Sequence, residues 1–214
     1  MKHFRLRLEC FLLFIVLPAA IAYIRPDKWL LMVLIGVMLC MLAGLSKYYD
    51  YNFKHDWNAS ALNWYHLSPV LRRFIPFSFA LLAFAVYNVP ERVFQLPLER
   101  PVLWVQIMVL YPILSVLPQE IIFRSFFFRR YAWLFKPRTL IIVNAVLFGW
   151  LHIIFSNWVA VIFSAIGGYL FADTYRSSRS LAIVCVEHAL YGCFIFTIGM
   201  GYYFYHGMGH QHGL

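Results

Sequence analysis

Glu120 and Arg124 stand four residues apart in the segment PQEIIFRSFFFRR (118–130), and two histidines, His152 and His188, follow within separate apolar runs. On a helix Glu120 and Arg124 share a face, with the acid four residues before the base, which is the favourable order for an ion pair. Ionisable side chains are costly at membrane depth, so these positions mark either a structural pair or a place where chemistry is done. A carboxylate and two imidazoles suit hydrolysis. They can take a proton from water, directly or with a divalent metal lowering its pKa, and stabilise the oxyanion that follows.

Other residues fall into line with these. Asn144, Phe148 and His152 recur every four residues and form one helical stripe, and Gly149 beside it admits a close neighbour. Glu187 directly precedes His188, and adjacent helical residues diverge by about 100°, so both line one cavity only if it is broad. An unpaired Glu187 in an apolar span costs several kcal/mol or takes up a proton. It therefore needs a partner, for which Arg124 or a histidine is the natural candidate. Pro118 removes a backbone donor and is expected to kink its helix or mark its start. Gly167 and Gly168 suit tight helix packing, while Asp173 and Arg176 are expected to pair at the cytoplasmic boundary; the segment 167–179 reads as structural.

The elements that must position these groups follow from composition. With 63% hydrophobic and 13% charged residues in 214, and a mean hydropathy of +0.71, the chain is a multi-span membrane protein. Apolar runs at 9–24, 29–46, 73–90, 102–123, 139–156, 158–175 and 181–204 give an all-α transmembrane bundle of seven spans, each near the ~20 residues needed to cross the bilayer. An eight-helix alternative makes 119–135 a separate span, but that stretch carries Arg124, Arg129 and Arg130. The net charge of +9 reflects topology, not a nucleic-acid partner. Basic residues collect before the first run and in 47–72, 124–138 and 176–179, which places the N-terminus in the cytoplasm and the C-terminus outside. A prokaryotic plasma membrane is the expected location. The first run reads as a retained helix or signal anchor.

Residues 1–100 read as scaffold helices with an interfacial, Tyr- and Trp-rich cytoplasmic segment, 101–205 as the chemical bundle, and 206–214 as a short His/Gly-rich tail. The tail's His206, His210 and His212 are left out of the site. Cys10, Cys40, Cys185 and Cys193 read as small buried apolar residues. In this topology Glu120 and His188 lie near the cytoplasmic ends of their helices, while His152 lies roughly 20 Å along its own. The three meet only if a helix tilts, kinks near Pro118 or starts nearer residue 144.

Three segments, in order and each in an apolar run, resemble the motifs of the CPBP family of intramembrane proteases, which includes CAAX prenyl endopeptidases and bacteriocin-processing relatives. Gln119-Glu120-Ile121-Ile122-Phe123-Arg124 looks like E-E-x-x-x-R, Phe148 to His152 matches F-x-x-x-H, and His188 to Gly192 resembles H-x-x-x-N. The resemblance covers roughly residues 100–205. It implies an intramembrane endopeptidase acting on a membrane-anchored protein or peptide in the bilayer, with a CAAX substrate not implied in particular. A carboxylate with His152 would activate water, His188 would stabilise the oxyanion, and Arg124 would hold the glutamate. Two departures bear on activity. The family's first glutamate, its usual base, is Gln119 here, and the terminal asparagine of the third motif is Gly192. Either Glu120 or Glu187 serves as the base and Asn144 or Asn157 supplies the amide, or the chain binds a partner without catalysis. Glu120, His152 and His188 also make a plausible set for a divalent metal such as zinc, and metal-dependent and metal-free mechanisms both remain open. A haem-binding protein with His152 and His188 as axial ligands is the further alternative.

Overall fold

Within lipid every backbone polar group must be satisfied inside its own segment, so apolar runs of this length become helices. The computed structural model describes residues 2–25 and 29–204. Six helices are long and apolar enough to cross a membrane: α1 (His3–Ile24), α2 (Leu30–Tyr49), α3 (Trp64–Asn88), α4 (Pro101–Leu134), α5 (Pro137–Phe155) and α6 (Trp158–Ser178). A shorter apolar helix, α7 (Leu181–Thr197), completes the bundle. Among the described residues there is no strand, and the all-α polytopic bundle read from the sequence is the architecture of the protein. The tail histidines His206, His210 and His212 lie outside the described residues.

Helix α4 departs most from the expected spans. It neither ends near residue 123 nor breaks into two helices, but runs for 34 residues, about 51 Å at 1.5 Å per residue. Pro112 and Pro118 each remove a backbone donor, yet the helix passes through both. It widens into π-helical turns at Pro112–Val116 and Ile121–Phe126, the usual way a helix absorbs an interrupted hydrogen-bond ladder. Its three arginines are tolerated because each meets a carboxylate: Arg124 meets Glu120, Arg129 meets Asp56, and Arg130 meets Glu9 of α1.

The length of α4 brings the motif residues to one level. Glu120 lies fourteen residues before Leu134, and His152 lies fifteen residues after Pro137 on the antiparallel α5, so both sit roughly 21 to 23 Å from the α4–α5 turn. Neither a sharp kink nor a late start to α5 is required. Helices α5 and α6 pack closely at two glycines. A Cβ on Gly149 would meet Ala165 Cβ at 2.6 Å and the Val161 carbonyl at 2.8 Å, and one on Gly168 would meet Phe148 Cβ at 2.9 Å. Asn157 caps α6 by accepting from the Ala160 amide at 2.8 Å, and Ser180 does the same for α7 at Ile183.

The segment joining α2 to α3 is tied down by Asp56, which is buried. Its carboxylate accepts from Tyr51, Ser125, Arg129 and Tyr175, clamping the connection over α4 and α6. Burial pushes the Tyr51 phenol up to about 12, so it stays a protonated donor at neutral pH.

The contact at Gly149 leaves no room for a side chain, so Gly149→Val should lower the unfolding free energy by about 1–3 kcal/mol through overpacking. Gly36→Val, at a position with nothing within 4 Å, serves as the control and should unfold like the wild type. Equal stability of the two variants in detergent would show that α5 and α6 do not depend on this approach.

Candidate active site

Glu120 and Arg124 are both fully buried and joined by a 2.8 Å bond from Arg124 Nε to Glu120 Oε2. Spacing of i and i+4 supplies the geometry, and the wider π-helical turn that holds Arg124 still keeps the two on one face. Asn144 of α5 completes the arginine's surroundings: its Oδ1 accepts from Arg124 Nη1, and its Nδ2 donates to the Phe123 carbonyl at 2.9 Å. Arg124 also lies over the Phe148 ring, 5.3 Å from its centroid.

The second oxygen of Glu120 is taken by α7, with His188 Nδ1 2.8 Å from Oε1. An ionised carboxylate only accepts, so Nδ1 carries a proton, and in the neutral ring Nε2 is then the acceptor. Nε2 lies 3.2 Å from the Tyr111 hydroxyl of α4. Phe171 of α6 stacks on the imidazole at 4.6 Å and 21°, so the ring is fixed at both nitrogens and on one face.

His152 is oriented by a different device. Helix α5 tightens into a 3₁₀ turn at His152–Phe155, and the His152 amide therefore bonds to the Gly149 and Trp150 carbonyls. The Phe148 carbonyl is left for the side chain, which it meets at Nδ1, 2.8 Å away. A carbonyl cannot donate, so Nδ1 holds the proton and Nε2 keeps its lone pair while the ring is neutral. Phe148 touches both imidazoles, at 5.0 Å from His152 and 5.6 Å from His188.

Both histidines line a cavity of about 1270 Å³ that is otherwise mostly apolar. Near the histidines it also presents Tyr111, Ser115 and Gln119, one stripe of α4, and Gly192, and its lining further includes Arg92, Gln95, Glu99, Arg100 and Gln106. Gln119 Nε2 donates to Ser115 Oγ at 2.8 Å, and its buried Oε1 has no hydrogen-bond partner among the described residues. Neither Glu120 nor Glu187 lines the cavity. Glu187 is fully buried and turns the other way, its Oε1 3.1 Å from Arg73 Nη2 of α3. Arg73 also reaches Thr174 and Asp173 of α6, so Asp173 pairs with Arg73 in place of the expected Arg176, and the partner of Glu187 is a residue of the expected scaffold and not Arg124 or a histidine. Asn144 and Asn157 are likewise occupied elsewhere, Asn157 by the Ala160 amide and the Tyr203 carbonyl.

Among the described residues no group of three His, Cys, Asp or Glu side chains is arranged to hold a metal ion. Both oxygens of Glu120 and both nitrogens of His188 have protein partners, Arg124 and His188 for the acid and Glu120 and Tyr111 for the imidazole.

Residues 101–194 match the family model of the type II CAAX prenyl endopeptidase, Rce1-like. This segment, a little under half of the chain, is similar to an Rce1-like domain. The resemblance to the CPBP family read from the three motifs is thereby borne out, and a membrane-embedded protease family with membrane-associated protein substrates is indicated. No curated protein and no solved structure matches the chain. The Rce1-like segment begins at the first residue of α4 and closes within α7, so it holds every motif residue together with Tyr111 and Phe171, whereas Arg73 lies outside it.

Tyr111, Phe171 and Arg73 went unnoticed in the sequence. Tyr111 had a signal, since Tyr111, Ser115 and Gln119 repeat every four residues along the run that leads into the first motif. Removing one member of a buried pair leaves an uncompensated charge, so Arg124→Ala should destabilise the protein by about 3–5 kcal/mol. Arg124→Lys keeps the charge but loses the planar fork that serves Glu120 and Asn144 together, and should fall between. Reversible unfolding in micelles measures both, and wild-type stability of Arg124→Ala would mean that the buried Glu120 charge does not depend on Arg124.

Proposed function

We propose that the chain is an intramembrane endopeptidase that hydrolyses a peptide bond of a membrane-anchored protein or peptide, with His152 accepting the proton of the attacking water. The observation that carries this reading is the fixed orientation of two imidazoles at one cavity. His152 is held through Nδ1 by the Phe148 carbonyl, and His188 through Nδ1 by Glu120. Nε2 of neutral His152 is then the acceptor open to a cavity water. The Gln119 Oε1 accepts a hydrogen bond from the same water, although an amide cannot take its proton.

In this reaction a water O–H bond breaks, its proton goes to His152 Nε2, and the oxygen adds to the substrate carbonyl carbon. Collapse of the tetrahedral intermediate breaks the C–N bond, and His152 returns the proton to the leaving amine. Glu120 acts through His188 as a positioning group, as the orienting acid does in a catalytic triad, and Arg124, itself bonded to Asn144, holds Glu120. Glu187 stands outside the chemistry as the partner of Arg73. No step requires a metal, and cleavage should survive EDTA. Apolar side chains form most of the remaining lining, which also includes Arg92, Gln95, Glu99 and Arg100, and they suit the membrane anchor of the substrate. The distribution of basic residues supports a cytoplasmic N-terminus and an external C-terminus. Cysteine at Ser177 should then label from the cytoplasmic side only, and cysteine at Glu91 from outside only.

A second reading, a non-catalytic protein that binds such a substrate, is favoured by Gln119 in place of the family's glutamate and by the full engagement of Glu120. Cleavage of prenylated CAAX peptides and of non-prenylated membrane-anchored peptides in phospholipid nanodiscs separates the two. For the enzyme, His152→Ala and His188→Ala should each lower kcat by about 10²–10⁴, with the double variant costing little more because the two act as a unit. A wild type that cleaves none of these substrates while Gln119→Glu does would establish the non-catalytic reading instead.

A further inference from the structure

A residue four positions after His188 on α7 lies on the same helix face, and in this chain that residue is Gly192. The space beside it is filled. A side chain at 192 would overlap the Tyr111 ring and hydroxyl, which reach in from α4. Tyr111 stands on the last ordinary helical turn before the π-helical turn at Pro112–Val116, and its ring packs edge-on against Phe196 at 5.4 Å. Its hydroxyl lies 3.2 Å from His188 Nε2 at the cavity. The glycine and the tyrosine are therefore one feature: the absence of a side chain at 192 is what lets the phenol approach His188.

We infer that Tyr111 supplies the hydrogen-bond donor that the third motif lacks at Gly192, and that its hydroxyl stabilises the oxyanion of the tetrahedral intermediate. The inference rests on the endopeptidase reading above. As water adds to the carbonyl carbon, the carbonyl π pair moves onto its oxygen, and the Tyr111 O–H donates to that oxygen while keeping its proton. A hydroxyl hydrogen rotates freely about its C–O bond, so the donor bonded to His188 in the resting site turns to the substrate when charge develops. With two ring protons His188 would donate through Nε2 to the phenol oxygen, polarising the same O–H further. The phenol is held at the cavity before charge appears, so only its hydroxyl hydrogen has to turn.

The test uses the full-length protein in phospholipid nanodiscs with a membrane-anchored peptide that the wild type cleaves. Tyr111→Phe keeps the ring and removes only the donor, and should lower kcat roughly 10²–10³-fold with KM and thermal midpoint unchanged. Gly192→Asn alone should also lose activity, because the new side chain displaces the tyrosine. In the double variant Tyr111→Ala/Gly192→Asn the amide enters the vacated space, and activity should recover at least about tenfold over Tyr111→Ala, a partial return of the single-donor effect. Wild-type kcat in Tyr111→Phe would overturn the assignment of Tyr111 alone, as would a double variant no more active than Tyr111→Ala. A wild type that cleaves no membrane-anchored peptide overturns the endopeptidase reading, and the role of Tyr111 falls with it.

Discussion

One carboxylate with no exposed surface, that of Glu120, sets the terms for the interior of this bundle. A buried ion pair gains little net stability, because desolvation offsets the attraction, but losing one partner is severe. Each of its oxygens therefore has to be met, and the partners come from different places: Arg124 from the same helix and His188 from α7. Arg124 in turn requires Asn144 of α5. Three helices are thus held in axial and rotational register by one acid. Helix α4 can satisfy this only by remaining helical through Pro118, and it does so by widening its turns, not by breaking.

The same arrangement determines which groups are left for chemistry. A carboxylate that balances an arginine and holds a histidine is not available to a water in the cavity, and Glu120 does not line it. Among the motif residues, His152 and Gln119 are those at the cavity with an atom not committed to another side chain or to the backbone: Nε2 of the one and Oε1 of the other. In the proposed mechanism the replacement of glutamate by Gln119 shifts the burden of proton transfer from a carboxylate to an imidazole. Phe148 serves both histidines at once, with its carbonyl fixing His152 and its ring packed against His188. The second motif is therefore a positioning device as much as a source of one functional group.

Much of this was legible in the sequence, and what was not shares a physical cause. The all-α membrane class, the number of helices, the i, i+4 pair of Glu120 with Arg124, and the close approach at Gly149 follow from period and residue type, which are local. The end of α4 was misjudged because hydropathy counts Arg124, Arg129 and Arg130 as bare charges, whereas Glu120, Asp56 and Glu9 neutralise them, two of these acids lying far away in the chain. That error alone produced the apparent mismatch in depth between Glu120 and His152. Arg73 was passed over for a similar reason, since it stands at the start of a span and looks like a boundary charge until α6 and α7 bring Asp173, Thr174 and Glu187 to it. Tyr111 and Gly192 become informative only together, across two helices.

The neighbouring residues Glu187 and His188 show how the shortest helix is held. At 17 residues α7 spans about 26 Å, less than the hydrocarbon core, and apolar contact with its neighbours would leave its rotation weakly specified, because lipid tails and leucine side chains are equally apolar. Two adjacent polar residues, about 100° apart around the axis, are bound on different sides: Glu187 by Arg73 of α3, and His188 by Glu120 of α4. Two fixed directions at one level determine the rotation of a helix, where one would leave a hinge. The cluster around Arg73 is therefore separate from the cavity in space but not in consequence. By setting the azimuth of α7, Glu187 decides where His188 presents Nε2, and with it where the space left by Gly192 opens to Tyr111.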